Sequence, residues 1–469
     1  MTSSQPPLNI VVLHGTKASL TTHVSQIGGS LAGLMTAVAL KQNGHNVTVI
    51  EKEDNERESH MAGVCLGLDA VEFLEKYDRI QGIFSHQSRR IQALVGDDKL
   101  KTFVNGRREI TNWDTMYYRL RCNFDGYASD TYPTSPLPSP EDGQGVYLAQ
   151  TEVLDIQREI QPDDDDDSDE KKTTMSLTLL DRKSGDKATM QADLVIGADG
   201  PDSFVRKKYQ GHVERKYVGY IAWRGTVPES EVSEETRHLF RRSVTVYMMD
   251  KQHCIVYTIP GKNGSLEPGE RYLNFLWYTN ETKESLDEIL KDGLDGHRHH
   301  NIVPSGRVRQ DIWAERTRQA KALPLSKPML EIFLKIQRPF IQVITDFCSH
   351  QAAFEDGKVL LVGDGLSLFR PHTAFSGTQA AFHALRTAEF VNGKTTLQQW
   401  ESKVLRYSRL HYLQSNWYGD FYQYPISTAL VAAVRYWIMC GVDRVLSWYN
   451  GDAPLLRTST FKSEAYDDE

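Results

Sequence analysis

The chain has 469 residues, 40% hydrophobic and 25% charged, with a formal net charge of −8. That length accommodates two or three domains around a sizeable core, and the composition is that of a globular protein. Seven acids lie between Asp163 and Glu170; without them 55 acids face 54 bases, so no basic surplus remains and a nucleic-acid partner is excluded.

The first element with a clear pattern is Leu8–Val12 (LNIVV), an apolar, β-branched run. A glycine turn, Ile27-Gly28-Gly29-Ser30-Leu31-Ala32-Gly33, comes only fourteen residues later. It opens a helix over Leu31–Asn43 that Gly44 stops, and Asn46–Glu51 (NVTVIE) reads as the next strand. Strand, glycine turn, helix and strand form a βαβ unit. The intervening Leu13–Gln26 is too polar for the strand that should enter the turn. Deleting it would give LNIVVIGGSLAGL. We therefore expect Leu8–Val12 to be the entering strand, and Leu13–Gln26 to be an insertion or, preferably, a stretch foreign to the functional chain.

Between Thr131 and Gly145 four prolines mark a polar loop. VYLAQTEVLDIQ and MSLTLLDRKSG flank the acidic run, which predicts a hairpin with the aspartates in its connection. Asp193–Gly197 is a buried strand running into Ala198-Asp199-Gly200. Residues 216–345 contain alternating segments such as VTVYMMD and RYLNFLWYT, the signature of an antiparallel sheet. Gly357–Gly363 is a short buried strand, followed by an irregular turn and a helix starting near Ser376. From Leu397 onward the pattern is helical. Ile426–Val442 is apolar, but Arg435 interrupts it, so a packed helix is expected rather than a membrane span.

Five scattered cysteines without a CxxC pair fit a reducing, cytoplasmic setting and neither a disulfide framework nor a zinc ribbon. No secretory leader or organelle address is recognisable at the ends. The cluster His297–His300 lacks a matching carboxylate pattern and reads as solvated surface, so no metal is expected.

Three places carry the chemistry. Gly28, Gly29, Ser30 and Gly33 give a turn one substitution short of G-x-G-x-x-G, where backbone can approach a pyrophosphate at a helix N-terminus. Glu51, at the end of the next strand, suits ribose hydroxyls. Asp199-Gly200, with Arg206 one turn into the next helix, and Asp364, followed by Arg370–Thr378, place carboxylates at strand ends beside helix starts.

In this order and spacing the three motifs resemble the class A FAD-dependent aromatic hydroxylases, in particular the branch acting on dihydroxypyridines. Tyr220–Gly225, His253–Gly261, Arg271–Tyr278 and Arg370–Ala374 carry that narrower likeness, which extends from about Leu8 to Trp417. The resemblance implies an α/β fold. A discontinuous Rossmann-like FAD-binding domain (1–80, 110–215 and 340–395) would carry an inserted mixed or antiparallel-sheet substrate domain (81–109 and 216–339) and a helical C-terminus (396–469). It implies FAD held by Gly28, Gly29, Ser30, Gly33, Glu51, Arg121, Asp199, Gly200, Asp364, Pro371, Ser376, Gly377 and Thr378. Arg121 is preferred to Arg119, and Arg57 is a second contact near the ribose acid. The family's usual Gly-Asp-Ala-Ala-His is here Gly363-Asp364-Gly365-Leu366-Ser367.

The implied activity is hydroxylation of an electron-rich, hydroxylated N-heteroaromatic ring, as in nicotinate-type catabolism, with NADH or NADPH as reductant and O2 as oxidant. Alternatives are a phenolic or polyketide substrate, or an FAD-impaired scaffold, the latter suggested by Leu13–Gln26. A base near the ring hydroxyl would be useful, with His253, Tyr257, His372 and Tyr220 as candidates. No membrane partner is expected, and a homodimer is left open.

Overall fold

The computed structural model describes residues 22–56, 61–95, 99–161 and 172–456. At its centre is a six-stranded sheet. Strand β1 (His23–Ile27) lies between β2 (Asn46–Ile50) and Leu194–Gly197, both parallel to it. Gly145–Leu148 extends one side, and Val359–Leu361 and Ala353–Phe354 the other. Parallel strands buried on both faces should be apolar throughout, as Val195, Ile196, Leu360 and Leu361 are.

The entering strand corrects the sequence reading. The apolar Leu8–Val12 lies outside the described residues. His23–Ile27 forms β1, its first four residues coming from the stretch read as foreign, and its last four residues are buried. Ser25 donates to Met190 Sδ at 3.6 Å, and Gln26 donates through Nε2 to the Ile196 carbonyl at 3.2 Å. Two hydrogen-bonded polar side chains thus make a polar-looking sequence serve as a central strand. The argument for an FAD-impaired scaffold loses its basis with this placement.

A second, larger sheet runs mainly antiparallel through Lys216–Pro228, Tyr272–Asn280, Gln252–Ile259 and Ser243–Met249, then on to the hairpin His86–Val95/Lys99–Asn112. It takes in two strands that the chain-order boundaries assigned to the first domain, Gly63–Leu66 and Phe340–Cys348. Alternation along the strands divides the faces. Trp223, Phe275, Trp277 and Cys254 pack with Met329 and Phe333 of the helix Lys327–Lys335 on one side. Tyr220, Arg224, Ile255, Tyr257, Leu276 and Tyr278 point to the other, towards the first sheet. A separate meander pairs Thr151–Gln161 with Lys172–Asp181, the hairpin expected around the acidic run; the run itself lies outside the described residues.

Helix α1 (Leu31–Gln42) packs on the helix Ser376–Val391, and the long helices Leu397–Gln423 and Ile426–Asn450 pack together at the C-terminal end. Among the described residues no helix is long and apolar enough to cross a membrane.

Candidate active site

One cavity of about 1250 Å³ runs between the two sheets. It exceeds the ~300–1,000 Å³ usual for small-molecule pockets, leaving room for a dinucleotide-sized ligand together with a second molecule.

At its inner end the chain turns sharply from β1 into α1. Gly28 has φ +98, and a Cβ there would strike the Ala198 carbonyl; a Cβ at Gly33 would strike the carbonyl of Gly28. Glycine is required by contact at both positions. Gly29 packs under the Tyr147 hydroxyl, and its N–H donates to Glu51 Oε2 at 2.7 Å. Ser30 caps α1 without a side-chain hydrogen bond, and no acid lies in the first turn, so the helix presents free N–H groups. Gly28, Ser30 and Glu51 line the cavity; Gly29 and Gly33 shape the turn behind it.

Asp199 and Gly200 form the next part of the wall. Asp199 accepts from the Val205 N–H at 3.1 Å through Oδ2, while buried Oδ1 has no partner, and burial pushes its pKa up. Asp364 sits in the Gly363–Gly365 turn after the Val359–Leu361 strand. Burial pushes its carboxyl up to about 6, and its Oδ1 also has no partner. Pro371, His372, Ser376 and Gly377 continue the wall, where the Ser376–Val391 helix begins with neither a side-chain cap nor an acid in its first turn.

Two half-buried carboxylates, each with one partnerless oxygen, and two uncapped helix N-termini therefore line one cavity. Helix ends suit a diphosphate, carboxylates suit polyol and ribose hydroxyls, and the donor set fits FAD.

Other expected contacts lie off the wall. Arg206 donates to the Gly365 carbonyl at 2.9 Å and to that of Pro201, stacking on Phe347; it ties the Asp199 loop to the Asp364 turn. Arg121 is buried behind the glycine turn. It pairs with Asp125 at 2.8 Å, donates to Asn55, and lies 3.5 Å over the Tyr147 ring, so it supports the wall rather than reaching a ligand. Arg119 is bound to Asp78 at 2.6 Å. Thr378 accepts from the Gly67 N–H at 3.1 Å, docking the Leu68–Tyr77 helix. Arg57 lies outside the described residues.

At the outer end the large sheet supplies Val246, Ile255, Leu276, Tyr257 and Arg224. His372 joins them with Nε2 2.8 Å from the Tyr220 hydroxyl and Nδ1 without a partner. Burial, and then the nearby Arg370 guanidinium, lower its pKa to about 3. Burial likewise raises the Tyr220 pKa well above its usual range. The pair is thus a neutral imidazole and a neutral phenol. Tyr257 also lines the cavity, with its ring against Gly63.

His253 does not reach it. Fully buried, it is stacked between Tyr278 (4.6 Å) and Tyr422 (4.2 Å), with Nδ1 2.9 Å from Gln423 Nε2. Its position behind two cavity-lining tyrosines makes it a support for the wall.

Arg224, in the segment Tyr220–Gly225, is a cavity-lining cation that its residue type alone does not mark as a site group. It donates to Gln342 Oε1 at 2.7 Å, and its Nε has no partner. The signal was the alternation that puts residues 220, 222 and 224 on one face of the strand. His299, read as solvated, is bound to the buried Asp292 at 2.8 Å. Among the described residues no cluster is placed to hold a metal ion.

Comparisons with known proteins agree with this geometry. Residues 217–346 match the family model described as FAD binding domain-like. The chain is 29% identical over 398 residues to 2,6-dihydroxypyridine 3-monooxygenase of Paenarthrobacter nicotinovorans, covering 82% of this chain and 88% of that protein. It is 32% identical over 287 residues to 6-hydroxynicotinate 3-monooxygenase of Pseudomonas fluorescens, covering 58% and 65% respectively. The solved structure of 2,6-dihydroxypyridine-3-hydroxylase from Arthrobacter nicotinovorans superposes with a TM-score of 0.70 at 25% identity, over 87% of this chain and 94% of that one. The Klebsiella pneumoniae protein HpxO, complexed with FAD and uric acid, shares the fold with a TM-score of 0.61 at 16% identity, over 89% and 92%. With this fold, this donor set and these relatives, the chain is similar over most of its length to FAD-dependent aromatic hydroxylases.

Proposed function

We propose that this monooxygenase uses NAD(P)H and O2 to hydroxylate an electron-rich, hydroxylated N-heteroaromatic ring of the hydroxypyridine type, in nicotinate-like catabolism in the cytoplasm. The observation that carries the reading is the two-ended cavity. Its inner end offers the acceptors and helix termini a dinucleotide needs, and its outer end is an apolar slot with few, convergent polar groups. The relatives named for dihydroxypyridine and hydroxynicotinate substrates support the ring class.

In this reading Gly28, Ser30, Glu51, Asp199, Asp364 and the helix start at Ser376 hold FAD, with Gly29, Gly33, Arg121, Arg206 and Thr378 fixing the wall. FAD, when bound, supplies the redox chemistry that carries reducing equivalents from the nicotinamide to oxygen. The protein's own part is placement. Val246, Ile255 and Leu276 exclude water and face the ring. Arg224 stabilises negative charge on a ring oxygen, which makes the ring more nucleophilic. His372, held by Tyr220, lines the slot; being neutral, it works as a hydrogen-bonding partner of the ring hydroxyl in line with a Tyr220 relay. Tyr257 closes the slot beside Gly63.

The test is NAD(P)H oxidation by the purified, flavin-loaded chain across hydroxypyridines, hydroxynicotinates and simple phenols, with product mass measured alongside. A hydroxypyridine should stimulate oxidation and give a product one oxygen atom heavier. Stimulation by phenols alone would replace this reading with a phenolic or polyketide substrate.

A further inference from the structure

The C-terminal helix Ile426–Asn450 is built inside out. Its inward residues are small or polar: Ala429, Ala432, Cys440, Asp443 and Ser447, with Tyr436 among them. Its outward residues are large and apolar. Ile426, Leu430, Trp437, Ile438, Val445 and Trp448 are each more than half exposed, Trp448 to 82%. At 3.6 residues per turn they cover roughly 120° of the helix, on the side away from the inward stripe. A surface helix of a water-soluble domain has the reverse arrangement. At ~150–250 Å² per aromatic ring, the face amounts to something on the order of 10³ Å², well beyond the ~300–600 Å² of the largest patch on an ordinary monomer.

We propose that this helix docks the protein, in the plane of the interface, onto an anionic lipid bilayer. Charge selects the occupant. The only exposed charged residues of the helix are Arg435 and Arg444; its one acid, Asp443, is buried and paired with Arg406 at 3.0 Å. The helical spacing puts the two arginines on opposite flanks of the apolar face, where their stems can lie along lipid while the guanidinium groups reach phosphate. Trp437, Trp448 and Tyr449 supply the amphipathic rings that settle at the headgroup level. A second copy packed on the same face would bring four arginines together with no carboxylate from either helix. Trp437 lies 6.0 Å from Trp417, whose ring is 5.1 Å from that of Tyr418; Tyr418 and Phe421 are exposed and also line the cavity, so docking places the mouth of the active site beside the lipid.

The experiment is flotation of the flavin-loaded full chain with vesicles of phosphatidylcholine alone or mixed with phosphatidylserine, alongside analytical ultracentrifugation without vesicles. The chain should float with the mixed vesicles and only weakly with phosphatidylcholine. Arg435→Glu with Arg444→Glu should weaken binding by at least about fivefold per arginine. Trp437→Glu with Ile438→Glu should abolish it, with flavin content unchanged in both variants. Three results would overturn the proposal: no flotation by a monomeric chain; no flotation by a dimer that Trp437→Glu with Ile438→Glu dissociates, which would assign the face to a second copy; or equal flotation by the arginine variant.

Discussion

Burial holds the Asp364 carboxyl up to about 6, against ~3.9 for an exposed aspartate. Between those values the folded apo-protein binds a proton that the unfolded chain does not. The resulting stabilisation is complete below the unfolded value and lost as the pH rises through the folded one. Asp364→Asn removes the ionisation. At neutral pH the apo-variant should therefore be more stable than the parent, by about 2–3 kcal/mol, and the advantage should vanish near pH 4. Denaturant titrations of both apo-proteins across that range measure it; a constant difference would mean the carboxyl is not held protonated. The same substitution should weaken FAD binding ~10–100-fold, the worth of hydrogen bonds to a charged acceptor, as read by flavin retention on dilution. His372 makes the opposite point. With a pKa near 3 it stays neutral throughout the working range, so the pH profile of kcat/KM should show no step near the ordinary histidine value of ~6.5. His372→Gln should lower kcat ~10²-fold with flavin content intact. A step near 6.5 that disappears in His372→Gln would show that the residue titrates as a base after all.

Among the elements, the strand entering the glycine turn was the least legible and is the most informative. The glycines, Glu51, the strand before Asp199 and the short strand before Asp364 could all be read from sequence, because contact or burial leaves few residues able to fill them. β1 could not. Ser25 and Gln26 look like loop residues, and only the neighbouring Met190 and Ile196 give their side chains partners, across more than 160 residues of chain. The same limit applies to His253 and Arg121. Their residue type suggested a site, whereas the rings stacked around them, from Tyr278 and Tyr422 in one case and Tyr147 in the other, are set by strands and helices distant in sequence. Gln26 also leaves its buried Oε1 without a partner, a cost of about 1–3 kcal/mol. Deleting residues 13–26 would slide Asn9–Val12 into the positions of His23–Gln26 and put two valines where Ser25 and Gln26 now stand. The shortened chain should keep its flavin and melt higher than the parent. Lower stability with lost flavin would show that His23–Gln26 contributes something the apolar run cannot.

For the whole molecule, the net charge of −8 and the working site are separate matters. The seven acids from Asp163 to Glu170 connect the strands Thr151–Gln161 and Lys172–Asp181, and it is the opposite end of that hairpin, at Thr151 and Glu152, that lines the cavity. Ten residues of strand separate Thr151 from Gln161, beyond which the run follows in sequence, about 30 Å at 3.3 Å per residue. That is several times the ~8–10 Å screening length of physiological salt, so the run should neither steer an anionic nicotinamide cofactor away nor tune the groups around the flavin site. Replacing Asp163–Asp167 with serine should raise the isoelectric point yet leave kcat/KM for NAD(P)H within about twofold at physiological salt. At low ionic strength, where the screening length grows to ~30 Å, the variant should bind the reductant more tightly than the parent. A large change in kcat/KM at physiological salt would show that the acids do act on the cavity mouth.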